Sequence, residues 1–195
     1  MLWPSAGSQG LTSLRQAVHG LRDRLEPDRE KHSPSRFVLG RPSAYELDMA
    51  NTVVDADEFD REATGALLTL ERSGGAAADA QLARAAQLYR GEFLAEEPYA
   101  DWVLRERGRL QGLATCVLRA LADAHLSTGQ LSAATSVLQR LTDVEPLDLE
   151  AQRDLIAALI RLGRHGEAAR RFDLVRRQFQ RTFGCEPGFA LADLA

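Results

Sequence analysis

Arg15, His19, Arg22 and Glu26 follow one another at intervals of 4, 3 and 4 residues, the spacing that lines up side chains on one face of an α-helix. A guanidinium carries a planar fork of donors that matches the acceptor edge of guanine or the oxygens of a phosphate. A helix with such a face can enter a major groove. The same pattern also suits an amphipathic helix whose arginines are simply solvated, and the helix alone does not separate the two. Arg41 is a further candidate. It sits in the turn Gly40-Arg41-Pro42-Ser43, where an exposed guanidinium at a hairpin tip could reach a minor groove or a phosphate.

The elements that hold these groups follow from the apolar pattern. Leu11, Leu14, Val18, Leu21 and Leu25 recur at 3, 4, 3 and 4, an apolar stripe that predicts a helix with the arginines opposite it. Thr12 or Ser13 is the expected cap and Pro27 the stop. Asp28 to Ser35 is polar and ends in Ser-Pro-Ser, a loop. Phe37-Val38-Leu39 and Ala44-Tyr45-Glu46-Leu47 flank the Gly/Pro turn and predict a β-hairpin, with Pro42 in the turn because it cannot donate to a ladder.

Beyond residue 56 the periodicity is helical. Helices are expected at 57–72, 78–90, 100–127, 131–144, 148–162 and 165–183, with Gly108 and Gly112 interrupting the third. Breaks fall at Gly74-Gly75, Glu97-Pro98, Thr128-Gly129, Glu145-Pro146 and Gly163. Six pairs share one offset of 34: Gly129 with Gly163, Leu121 with Leu155, Ala124 with Ala158, Ala134 with Ala168, Leu138 with Phe172, and Leu141 with Val175. That is the tetratricopeptide period, in which small residues let paired helices approach and stacked pairs share a core. The fold class expected is mainly α, a TPR-like helical domain over 55–195 behind a helix-plus-hairpin element over 1–54.

Several chemistries are excluded as expectations. The 195 residues are 45% hydrophobic and 27% charged, ordinary for a globular chain. No apolar run nears the roughly 20 residues a membrane span requires, and the first ten residues do not form a secretory signal. A cytoplasmic location follows by default. His19, His32, His125 and His165 are scattered, and neither they nor Cys116 and Cys185 adopt a metal-ligand spacing. No phosphate-binding glycine loop or nucleophile elbow occurs. Asp123 and His125 diverge on a helix, and Glu92, Glu96 and Glu97 form a solvated acidic patch. Cys116, beside Leu113, Val117 and Leu118, is expected as a small core residue. An enzyme, a metal and a cofactor are all unexpected.

Charge is unevenly distributed. Residues 11–45 carry seven basic and four acidic residues, whereas 56–195 carry 17 and 21, against a net charge of −4 for the chain. A surplus of three at the N-terminal end suits a polyanionic partner without requiring one. One lysine, Lys31, stands among 24 basic residues, a composition typical of high-GC bacterial genes.

Leu2-Trp3-Pro4 followed by LTSLRQAVHGLRDRLEP at 11–27 resembles the end of the OmpR/PhoB-type winged helix of SARP-type bacterial regulators, as does Ala44-Tyr45-Glu46-Leu47-Asp48. Val54 to Phe59, Leu88-Tyr-Arg-Gly-Glu-Phe-Leu94, Pro98-Tyr-Ala-Asp-Trp102, Glu106, Leu110 and Gly184-Cys-Glu-Pro-Gly188 resemble the bacterial transcriptional activator domain of the same regulators. The stretch 88–102 is the most specific of these. The resemblance implies a recognition helix with Arg15, Gln16, His19 and Arg22 facing DNA and Arg41 on the wing, while Leu14, Val18, Leu21, Leu25 and Tyr45 are core. It implies a TPR-like domain used for homodimerisation and for contact with RNA polymerase or other transcription proteins, and no membrane partner.

The chain departs from that pattern in its first half. It begins at Leu2-Trp3-Pro4, so the elements that precede the recognition helix in the family are not in it, and the stripe lacks its usual partners. Gly20 costs a helix interior about 1 kcal/mol, and Asp23 repels phosphate. The expectation is a marginal helix unless the helical domain or a second chain covers it. Leu194-Ala195 shows no terminal cap, which suggests a longer parent chain. Two functions therefore stand side by side, a sequence-specific DNA-binding regulator and a TPR-like interaction module with little DNA affinity. A small-molecule sensor comes third, since no convergent polar pocket can be read from the residues.

Overall fold

The computed structural model describes residues 7–30, 33–97 and 100–194, with side chains from residue 10 onward. Leu2-Trp3-Pro4, Lys31, His32, Pro98, Tyr99 and Ala195 lie outside the described residues. The chain divides into two compact units, 1–54 and 55–195.

The first unit holds α1 (Gly7–Leu25) and a hairpin of β1 (Val38–Gly40) and β2 (Tyr45–Leu47). The strands are antiparallel, with Val38 opposite Leu47 and Gly40 opposite Tyr45. The turn closes where the Arg41 amide donates to the Ala44 carbonyl at 2.8 Å. Because α1 starts at Gly7, Thr12 and Ser13 lie inside it and cap nothing. Of the apolar stripe, Val18 is buried and Leu14 half-buried, while Leu11, Leu21 and Leu25 are 58%, 43% and 44% exposed. Tyr45 is exposed as well. So Leu21, Leu25 and Tyr45, expected in a core, lack one in this unit. Three-residue strands and one helix are too little structure to cover a stripe of four leucines and a valine.

The second unit is all helix among its described residues: α2 (Asp55–Ser73), α3 (Gly75–Leu88), α4 (Asp101–Ser127), α5 (Leu131–Val144), α6 (Leu149–Arg161), α7 (His165–Phe183) and a 3₁₀ turn (Leu191–Leu194). Helices α2, α3 and α4 pack on one another, and from α4 onward each helix packs on its successor. Buried alanines at helical spacing, Ala63 and Ala66 on α2 and Ala78, Ala85 and Ala86 on α3, let these two backbones approach closely. Helix α4 runs unbroken through Gly108 and Gly112, correcting the expected interruption. A Cβ at either glycine would meet nothing within 4 Å, so both lie on an open side. The buried flank of Val103, Leu110, Ala114, Val117, Leu118 and Leu121 carries the helix instead.

The 34-residue repeat is visible in backbone hydrogen bonds. The amides of Thr128, Gly129 and Gln130 donate to the carbonyls of Ala124, Leu126 and His125, and those of Leu162, Gly163 and Arg164 donate to Ala158, Ile160 and Leu159. Both glycines sit at positive φ, 71° and 74°, the left-handed position that closes a helix in the Schellman arrangement. Cys116 is exposed rather than in the core, because one residue's step of about 100° turns it away from Val117 and its buried neighbours. The last residues fold back. Phe189, Leu191 and Leu194 pack against the core, with Phe189 meeting Phe172 edge-on at 5.6 Å. The final helix pair thus has an apolar cover that the sequence pattern did not announce.

Candidate nucleic-acid interface

Helix α1 and the hairpin are joined on the face that carries the arginines. With about 100° per residue, the line through Arg15, Arg22 and Glu26 runs beside the apolar stripe and not diametrically opposite it. The hairpin covers the C-terminal half of that line. Arg22 donates from Nε and Nη2 to the Val38 carbonyl at 3.1 and 2.7 Å, and its guanidinium lies 5.7 Å from the centre of the Tyr45 ring. Arg22 is therefore the clamp between helix and hairpin.

One turn on, Glu26 is buried. Its carboxylate accepts from the Ser35 hydroxyl and from the Arg36 amide, the latter at 3.1 and 3.3 Å. Ser35 is buried too, and its Oγ accepts from the Phe37 and Val38 amides at 3.2 and 3.0 Å. Sequence reasoning placed Glu26 on a polar face and Ser35 in a loop; the structure makes them the joint that starts β1. The Ser35 hydroxyl, followed by the amide and guanidinium of Arg36, holds the Glu26 carboxyl below its ordinary value of 4.5. A depressed carboxyl stabilises the fold above its ordinary value and loses that contribution as pH falls through the lowered one. The Arg36 amide resonance in ¹H–¹⁵N spectra is thus expected to titrate with a midpoint below 4.5. In Glu26→Gln that titration disappears. A midpoint at or above the ordinary value would contradict the joint.

The N-terminal half of the line stays open. Arg15 and Gln16, and His19 about one turn on, are exposed. His19 Nε2 lies 3.5 Å from the Asp23 carboxylate, which also takes Arg29 Nη2 at 3.4 Å. Arg29 thereby partly neutralises Asp23 beside the open turn. Arg41 is exposed in the hairpin turn, its Nε donating to Glu46 at 2.8 Å, a surface pair worth little and easily exchanged for another anion. The structure thus separates the five candidate side chains into three open on the helix, one clamping, and one at the hairpin tip.

In the helical unit the stretch 88–97 is built around two arginines that sequence reasoning did not single out. Arg140 Nη2 donates to the carbonyls of Ala86 and Tyr89 at 2.7 and 3.2 Å, closing the end of α3. Arg107 donates to the carbonyls of Phe93 and Leu94 at 2.9 and 2.6 Å. Phe59 from α2 meets the Tyr89 ring at 5.3 Å. The profile of the bacterial transcriptional activator domain matches residues 54–195. The chain belongs to that family.

This bacterial transcriptional activator domain is the helical module of the SARP-type regulators that the sequence resembles, and its mainly α, TPR-like architecture is the one described above. No curated protein matches the sequence. Among solved structures the chain is similar in fold to Mycobacterium tuberculosis EmbR in complex with a low-affinity phosphopeptide, with a TM-score of 0.62 and 23% identity over 98% of this chain and 49% of that one. The chain thus spans about half the length of that protein. Among the described residues no cluster of His, Cys, Asp and Glu is placed to hold a metal, and no helix is long and apolar enough to cross a membrane.

Proposed function

We propose that this activator-domain protein is a DNA-binding transcriptional regulator of SARP type, with residues 1–54 as its winged-helix element and 55–195 as the module for homodimerisation and for contact with RNA polymerase or other transcription proteins. It acts in the cytoplasm and uses no cofactor. The observation that carries the reading is the open turn of α1. Arg15, Gln16 and His19 project from a helix whose hairpin is fixed beside them by Arg22, with Arg41 at the hairpin tip. Arg15 and Gln16 suit the guanine and adenine edges of a major groove. His19 and Arg41 suit phosphates, and Arg22 sets the angle between helix and wing.

The test is DNA binding by the full chain to fragments of its own upstream region, with salt titrated. Arg15→Ala with Gln16→Ala is expected to weaken specific binding about 10- to 100-fold, since a good bidentate base contact is worth about 1–3 kcal/mol. Arg41→Ala should reduce the slope of log affinity on log salt by about one. Arg22→Ala is a poor substitute, because it releases the hairpin as well. A well-folded protein that binds none of the fragments, or a double variant that binds like the parent, would sink the reading.

The second reading is an interaction module with little DNA affinity. It is favoured by the exposed Leu11, Leu21 and Leu25, which leave α1 few apolar partners within its own unit.

A further inference from the structure

We propose that the groove between α5 and α7 is a docking site for a short acidic, leucine-bearing segment of a partner protein. The groove encloses about 420 Å³. Leu155 and Leu159 of α6 form its floor, and Leu174 of α7, 46% exposed, forms one wall. Arg164, Arg170 and Arg171 line its other side against one carboxylate, Glu167. Arg164 already holds Glu167 through two contacts of 2.7 Å, so that pair is neutral.

Arg170 and Arg171 have no ion-pair partner among the described residues. Arg171 is half-buried, and its Nε donates at 2.8 Å to Oε1 of the buried Gln152. That amide is fixed in turn by its own bond to the Pro146 carbonyl at 2.9 Å. A partly desolvated guanidinium thus rests on a neutral acceptor, and the loss of solvent lowers its pKa. Asp143 attracts it only at a distance, being engaged by Gln139 at 3.0 Å. Elsewhere in the unit the enclosed arginines are satisfied within the fold. Arg119 meets Asp148 and Glu150, while Arg107 and Arg140 meet backbone carbonyls. An anionic group entering the groove would supply the missing countercharge.

One feature favours a peptide over nucleic acid. A phosphodiester would use the arginines and leave the exposed Leu174 uncovered, whereas an aliphatic side chain between carboxylates uses both. The proposal does not depend on α1 gripping DNA, and either can fail alone.

The experiment is a fluorescence-anisotropy titration of the full chain with a fluorescein-labelled peptide of alternating glutamate and leucine, and a glutamine/leucine peptide as control. Saturable binding of the acidic peptide is expected, falling several-fold as salt rises from about 50 to about 300 mM. Arg170→Ala, at an exposed position that leaves packing intact, should weaken it about tenfold. Leu174→Asp should weaken it at least as much. Arg176→Ala with Arg177→Ala, on α7 but outside the groove lining, should change nothing. Circular dichroism and urea midpoints confirm that each variant is folded. Equal binding of the neutral peptide, or an unchanged Arg170→Ala, overturns the proposal. So does a random-sequence duplex that binds through Arg170 where the peptide does not, which would assign the groove to nucleic acid. Self-association that Leu174→Asp abolishes, without peptide binding, would assign it to a second copy and overturns it equally.

Discussion

Leu138→Ala is expected to lower the stability of the helical unit by about 3 kcal/mol, in the middle of the range for emptying a sealed leucine site. Leu138 is 1% exposed on α5, and α5 packs against both α4 and α6. In a repeat array each pair of helices contacts only its neighbours, so a defect in an interior helix weakens two interfaces together. Its counterpart 34 residues on, Phe172, occupies the last pair. It is half-buried and shares its apolar surroundings with Phe189 of the returning tail. Phe172→Leu keeps an apolar side chain there and forfeits mainly the edge-on ring contact, about 0.5–1.5 kcal/mol. Urea unfolding followed by circular dichroism separates the two. The larger midpoint shift should belong to Leu138→Ala, with the slope unchanged if the unit unfolds as one. A shift for Leu138→Ala no larger than that for Phe172→Leu would mean that the sequence repeat does not describe the packing.

What the residues disclosed in advance was what depends on local spacing. The α4–α5 and α6–α7 junctions were legible because Gly129 and Gly163 each fill a backbone position that excludes most other residues, and their neighbours repeat with them. The hairpin was legible from its turn, since Gly40 and Pro42 limit where a ladder can run. The 3-and-4 spacing of Arg15, His19, Arg22 and Glu26 named a helix face correctly but gave no information on what covers it. That cover is the loop and hairpin 9 to 16 residues away, and it makes Arg22 a clamp and Glu26 a buried acceptor. Arg107 and Arg140 stayed hidden for a related reason. Their partners are carbonyls of a loop, and every residue has a carbonyl, so no residue type marks the acceptor. Cys116 shows the converse error. Apolar neighbours in sequence are not neighbours in space when one step along a helix turns by about 100°.

Arg107→Ala is expected to release the loop between α3 and α4 and to destabilise the helical unit by about 2–3 kcal/mol, the range for losing more than one hydrogen bond to a charged donor. Arg107 is largely enclosed. It draws the carbonyls of Phe93 and Leu94 together and stands 3.8 Å from the Glu92 carboxylate. Leu94 within that clasp has φ 45°, a left-handed conformation that costs an ordinary residue about 1–2 kcal/mol. Such a conformation persists only where the surroundings over-determine it, and Arg107 is the group that does so here. Lysine cannot replace it, because an ammonium lacks the planar fork that spans two carbonyls. Leu94→Gly should instead stabilise the parent slightly, by about 0.5–1 kcal/mol, as strain relief of about 1–2 outweighs a chain-entropy loss of about 0.5–1. The two effects are coupled, which gives the sharper test. Once Arg107 is gone, nothing forces Leu94 to positive φ, and glycine there retains only its entropic disadvantage. A double-mutant cycle should therefore show Leu94→Gly changing sign, from stabilising in the parent to destabilising in Arg107→Ala. Additive effects would mean that the strain at Leu94 has another source and that Arg107 merely lies alongside it.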